Sequence, residues 1–141
     1  MKSTAKLILH PSAIEDLYFG AASKELVAIE EALGEGMKAF VPESFMTRLI
    51  QAFLDRAGRG ELTESELNDE LAEIDYLPIE IEPTVPYPRQ DILKIAQGHH
   101  LPANDAVYLY LAQKEKGLLV ATNGQVLEAA RSMKVKIFTE L

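Results

Sequence analysis

Five short apolar runs, at residues 7–9, 39–41, 78–81, 118–121 and 135–138, are separated from one another by stretches with helical periodicity. The runs are made mostly of apolar or β-branched residues, of the kind that helices bury on both faces, and the stretches between them are long enough to supply that cover. An order of strands divided by helices leads to a mainly parallel sheet in a three-layer α/β sandwich, here with about five short strands. The 141 residues, 48% of them hydrophobic, suit one domain over residues 1–141 with a core of its own.

Local chemistry sets the helix boundaries. Thr63-Glu-Ser-Glu66 has the form of a capping box, Leu62 and Leu67 stand at the positions of a hydrophobic staple, and Leu67, Leu71 and Ile74 make one apolar face. Ser12-Ala-Ile-Glu15 repeats the box, which predicts a helix start just after His10-Pro11 with Glu15 as the reciprocal partner. Phe45, Leu49 and Phe53 form a line with Met46, Ile50 and Leu54 beside it, predicting an amphipathic helix after Pro42 that runs to about Arg56 and ends at Gly58 and Gly60. Residues 82–88 hold three prolines and are read as a loop. A helix over 89–97 follows, closed by Gly98. Residues 106–112 are apolar almost all round, as in a buried helix, with Lys114 and Lys116 favouring its C-terminal dipole and Gly117 suited to the position after it. Thr122-Asn123-Gly124 opens a last helix to about Ser132.

Charge and composition narrow the function. With 14 basic and 22 acidic residues the net charge is −8, which opposes a broad non-specific contact with nucleic acid and makes a protein partner the better match. The absence of cysteine excludes disulfides, thiolate metal sites and thiol nucleophiles. No stretch approaches the roughly 20 apolar residues of a membrane span, and the first apolar run is too short for a signal-peptide core. The expectation is a soluble, cytoplasmic protein without membrane contact.

The stretch LPANDAVYLYLAQKEKGLLVATNGQVLEAARSMKVKIF, residues 101–138, resembles the C-terminal part of PIN domains, the fold of VapC-type toxins and related ribonucleases. The matching residues are Asp105-Ala106, Gly117, the run at 118–121, Thr122-Asn123 and the run at 135–138. LILHPSAI at 7–14 resembles the family's first strand running into Asp-Thr/Ser-Ser, and VPESFMTRLIQAF at 41–53 resembles the helix that brings in a glutamate; Ile81-Glu82-Pro83 is also similar. What the resemblance implies is a ribonuclease in which carboxylates at the strand ends hold Mg²⁺ or Mn²⁺, the metal activating water for attack on a phosphodiester.

In this chain the pocket positions implied by the resemblance are His10, Arg48, Asp105 and Asn123, with Ser12 and Thr122 beside them as binding residues, and only Asp105 is acidic. A guanidinium cannot ligate a metal, so Arg48 puts a fixed positive charge where a dication would sit. Each residue also has a plainer role. Asp105, in a first helical turn, is expected to cap free amides; Asn123 is expected to cap the last helix. His10 has three readings: a hydrogen-bonded pair with Asp105, which is preferred; a loop histidine; or, least favoured, a soft-metal ligand with His99 or His100. Arg48 is expected to hold Asp105 in a bidentate pair in place of a metal. Glu15, Asp16 and Glu43 are the acids that could rebuild a metal site, although each suits a cap or a first turn.

The expected function is therefore a degenerate PIN domain that lacks metal-dependent ribonuclease activity and acts by binding. The partner would be a second copy in a homodimer, an antitoxin-like protein or, less favoured by charge, RNA, and no cofactor is expected. The alternative is an active VapC-like endoribonuclease of a toxin–antitoxin pair, using Mg²⁺ or Mn²⁺ at Asp105.

Overall fold

The computed structural model describes residues 6–82 and 88–140. The proline-rich loop expected at 82–88 lies almost wholly outside them. The elements run β1 (Leu7–Leu9), α1 (Pro11–Phe19), α2 (Lys24–Gly34), β2 (Ala39–Val41), α3 (Phe45–Gly58), α4 (Glu64–Ile74), β3 (Ile79–Ile81), α5 (Arg89–His99), α6 (Ala103–Glu115), β4 (Leu118–Val120) and α7 (Gly124–Ser132), with a closing 3₁₀ turn at Phe138–Glu140. The strands form a four-stranded parallel sheet in the order β3-β2-β1-β4. Helices flank this sheet, so the expected α/β sandwich is present with four strands rather than five.

The fifth run makes a single parallel bridge, Ile137 to Leu119, in which the Leu119 amide donates to the Lys136 carbonyl at 2.8 Å. The chain turns into 3₁₀ geometry at Phe138, which leaves no second residue to extend the ladder.

Pairing register follows from burial. Leu7 stands between Ala39 and Leu118, and Ile8 between Phe40 and Leu119, so the central strand β1 is covered along both edges and both faces. Leu7, Ile8 and Leu9 are at most 1% exposed, as a doubly covered parallel strand requires. α6 packs against β1 and β4, α5 packs on α6, and α3 connects α1 with α4.

Most helix boundaries match their local signals. The Thr63 box is complete: its hydroxyl accepts from the Glu66 amide at 3.1 Å and the Glu66 carboxylate accepts from the Thr63 amide at 2.9 Å, holding that carboxyl below its usual range. α3 runs past Arg56 to Gly58, and α5 past Gly98 to His99, closed by His100 in the left-handed region. α6 is likewise ended by a left-handed Lys116 rather than by Gly117. Gly117 is required for another reason: a Cβ there would lie 2.8 Å from the Lys6 carbonyl oxygen, where β4 begins to pair with β1.

The α1, α3 and α4 layer is joined by aromatic contacts. Tyr18 meets Phe53 edge-on at 5.6 Å, Arg56 lies 4.0 Å over Phe19, and the Tyr18 hydroxyl donates to Glu73 Oε2 at 3.0 Å. Partial burial, then the Glu73 hydrogen bond and charge, raise the Tyr18 phenol well above its usual 10.0. The neutral phenol is thus favoured by folding, and its contribution is present below pH 10.0 and lost as pH rises beyond it. Tyr18→Phe is expected to flatten the alkaline limb of a stability–pH profile measured by urea unfolding between about pH 8 and 11. An unchanged slope would refute the coupling.

Candidate functional site

The sheet order places β1 beside β2 on one side and beside β4 on the other, with β4 reached only after the excursion to β3. The chain therefore changes direction across the sheet at the C-terminal ends of β1 and β4, where open α/β sheets leave a crevice. His10, Thr122 and Asn123 stand at those ends.

His10 is held there by backbone and ring together. Its amide donates to the Val120 carbonyl at 2.9 Å, one step past the β1–β4 ladder. Pro11 follows it, which excludes the helical region for His10 and leaves it extended at φ −88°, ψ 143°. Pro11 has no amide hydrogen, so the first free donor of α1 is the Ser12 amide, and His10 Nδ1 accepts it at 3.1 Å. The N-cap of α1 is thus His10, and the Ser12–Glu15 capping box does not form: Pro11 opens the helix two residues earlier than the box requires, and α1 has no acid in its first turn.

Ser12 has a different task. Its Oγ accepts from the Thr122 amide at 2.9 Å and from the Asn123 amide at 3.2 Å, and lies 2.8 Å from His10 Nδ1. With both lone pairs taken by amides, the hydroxyl donates its proton to Nδ1. Nε2 then carries the ring hydrogen and donates it to Asp105 Oδ1 at 2.9 Å. Thr122 Oγ1 returns a bond to the Ser12 carbonyl at 3.0 Å. His10 is 3% and Asp105 7% exposed, and the Tyr108 ring stands edge-on to His10 at 4.9 Å.

Asp105–His10–Ser12 has the connectivity of a nucleophilic triad but not its chemistry. A serine that donates one hydrogen bond and accepts two has no lone pair to present to a carbonyl, and the two amides that would form an oxyanion hole are spent on Oγ itself. What the cluster does is join the ends of β1 and β4 and the start of α6 by hydrogen bonds between atoms remote in sequence.

Asp105 does not cap α6; the N-cap is Pro102, which makes no side-chain cap bond. Its carboxylate is turned toward His10, the preferred reading. The Arg48 fork does not form either: Nη2 stands 3.7 Å from Asp105 Oδ1, a single ionic contact from a side chain 48% exposed. His10 approaches that oxygen edge-on at hydrogen-bond distance, leaving the longer side chain an outer position. Asn123 is the N-cap of α7, its Oδ1 accepting from Val126 at 3.1 Å. His99 and His100 line a separate hollow with Gln125 and Glu128 beside α7. Glu43 is exposed before α3, and Asp16 lies midway along α1, so neither occupies the first turn expected of it. Among the described residues no three of His, Asp and Glu gather closely enough to hold a metal ion.

Three contributors were missed by sequence reasoning. Tyr108 lay within a helix read as apolar almost all round; Ser44 Oγ donates to Asn104 Oδ1 at 3.1 Å, joining the starts of α3 and α6. Asn104 directly precedes Asp105, and its polarity beside that residue was the available signal.

The donor set fits Mg²⁺ or Mn²⁺ poorly. It offers one carboxylate engaged by His10, one amide oxygen engaged as a cap, a ring nitrogen facing Ser12, and a guanidinium. No family model and no curated protein matches the sequence. Among solved structures, the chain is similar to PAE2754 from Pyrobaculum aerophilum, known from its crystal structure, with a TM-score of 0.69 and 15% identity over 89% of this chain and 84% of that one. At this identity the likeness speaks for the fold. Among the described residues no helix is long and apolar enough to cross a membrane.

Proposed function

We propose that the chain is a PIN-type domain whose strand-end pocket has exchanged a metal centre for an internal hydrogen-bond network, and that it works in the cytoplasm by binding a protein rather than by cleaving RNA. The observation that carries this reading is the engagement of Asp105: Oδ1 accepts from His10 at 2.9 Å and faces the Arg48 guanidinium at 3.7 Å, so its charge is balanced by the protein's own groups. A dication entering there would compete with the imidazole for Oδ1 and lie against a permanent cation. The partner class follows from surface chemistry. A net charge of −8 repels a phosphate backbone, while Ile50 and Leu54, one turn apart on α3, are 39% and 47% exposed and offer an apolar contact for a second copy or another protein.

Titrating Mg²⁺ and then Mn²⁺ into the purified protein by calorimetry is expected to give no specific heat up to millimolar concentration. Saturable binding that disappears in Asp105→Ala, or Mn²⁺-dependent cleavage of single-stranded RNA that disappears in Asp105→Asn, would overturn the proposal in favour of a VapC-like ribonuclease.

A further inference from the structure

At the opposite end of the sheet from His10, Lys116, Lys134 and Lys136 line one cavity of about 310 Å³. β1 and β4 run parallel and the bridge at Ile137 continues in the same sense, so the residues that lead into these segments share the N-terminal end of the sheet. Gly117 and Val135 belong to the wall, and Gln113 adds an amide. None of these residues takes part in the Asp105–His10–Ser12 network.

Three observations bear on these lysines. Lys116 at φ 51° and Lys134 at φ 61° are left-handed, a conformation that glycine ordinarily supplies where a helix ends and that lysine adopts only under steric strain. Among the described residues none of the three is in an ion pair with a carboxylate, as is also true of Lys24, Lys94 and Lys114, so their charges are available to a ligand. Finally, a chain of net charge −8 places three of its 14 basic residues around one hollow. Attraction to a helix C-terminus explains a lysine near the end of α6 or α7; it explains neither the choice of lysine over glycine at the left-handed positions nor Lys136, which lies beyond both helices.

We propose that this cavity binds the polyphosphate group of a small molecule. Ammonium groups are compact point charges with freely turning donors, suited to phosphate oxygens that present no fixed fork. Three of them match the charge of a diphosphate group and most of that of a triphosphate, whereas one phosphate would leave positive charge uncompensated. The cavity has the size of a small-ligand site, and the Gln113 amide supplies a neutral donor. A free polyphosphate and the phosphate chain of a nucleotide share this chemistry.

Calorimetric titration of the full chain with inorganic triphosphate, and separately with ATP, at low ionic strength is expected to show one site of micromolar affinity. The key variant is Lys116→Gly with Lys134→Gly, because glycine relieves the left-handed strain: thermal stability should hold or rise while affinity falls on the order of 100-fold, tenfold for each lysine. Lys136→Ala should reduce it further. Equal affinity for the two ligands assigns the site to free polyphosphate; tighter ATP binding assigns it to a nucleotide. The proposal is overturned by the absence of triphosphate binding or by full affinity in the double glycine variant. It is also overturned by a single-stranded oligonucleotide that binds more tightly than triphosphate and gains affinity with length, which would mark a nucleic-acid track instead.

Discussion

Asp105→Ala is expected to lower the free energy of unfolding by about 3 kcal/mol, the loss seen when a buried charge-assisted hydrogen bond is broken on one side. Without the carboxylate, His10 Nε2–H is left at a position 3% exposed with no acceptor, and the ring cannot exchange tautomers, because Nδ1 is required as acceptor for the Ser12 amide. Asp105→Asn keeps an oxygen where Oδ1 stands and should lose only about 1 kcal/mol. The sign of the effect separates two designs. Where a carboxylate is held in place for a metal, its removal relieves unfavourable burial and tends to raise stability at the expense of activity. Here it joins three elements, and its removal should lower the urea midpoint at unchanged slope. A midpoint that stays or rises in Asp105→Ala would sink the structural role given to the pair.

Gly117→Ala is expected to cost about 2–4 kcal/mol, a large effect for one methyl group, because overpacking here acts on backbone. The new Cβ would stand 2.8 Å from the Lys6 carbonyl oxygen and 3.1 Å from Ile8 Cγ1. The same Lys6 carbonyl accepts the Leu118 amide at 2.8 Å, so moving it away weakens the first bond of the β1–β4 ladder. Gly98→Ala supplies the contrast: it lies in α5, nothing stands within 4 Å of a Cβ there, and alanine should gain roughly 1 kcal/mol through helix propensity. Thermal unfolding of both variants tests the difference. If Gly117→Ala unfolds at the wild-type temperature, close approach at that position is not what selects glycine.

How far the sequence could be read varies with the range of the forces involved. The parallel α/β order, the Thr63 capping box and the Asn123 cap are matters of local chemistry and burial, and they appear where the pattern puts them. The run at 135–138 had the composition of a strand, but pairing depends on the backbone path, and the 3₁₀ turn at Phe138 cuts it to one bridge. Ser12-Ala-Ile-Glu15 fitted a capping motif, yet a proline at the first helical position shifted the frame and handed the cap to His10. Gly117 was visible as a glycine near a helix end; that its hydrogen is needed by residue 6 is a long-range fact no window could contain. The meeting of His10 and Asp105 could be anticipated only through the family likeness, and the choice between Arg48 and His10 as closer partner was decided by reach and direction rather than by charge.

The central position of β1 also bears on how the molecule is assembled during synthesis. Leu7–Leu9 leaves the ribosome well before one of its two neighbours, Leu118–Val120, which follows only after β2 and β3 have been made. Until then the most buried of the described strands has an open edge, and closing so long a loop carries the greatest entropy loss of any strand pairing in the sheet. A nascent chain cut short of residue 118 would therefore hold a three-stranded sheet with Leu7, Ile8 and Leu9 lacking their β4 partners, a natural target for chaperones until β4 arrives.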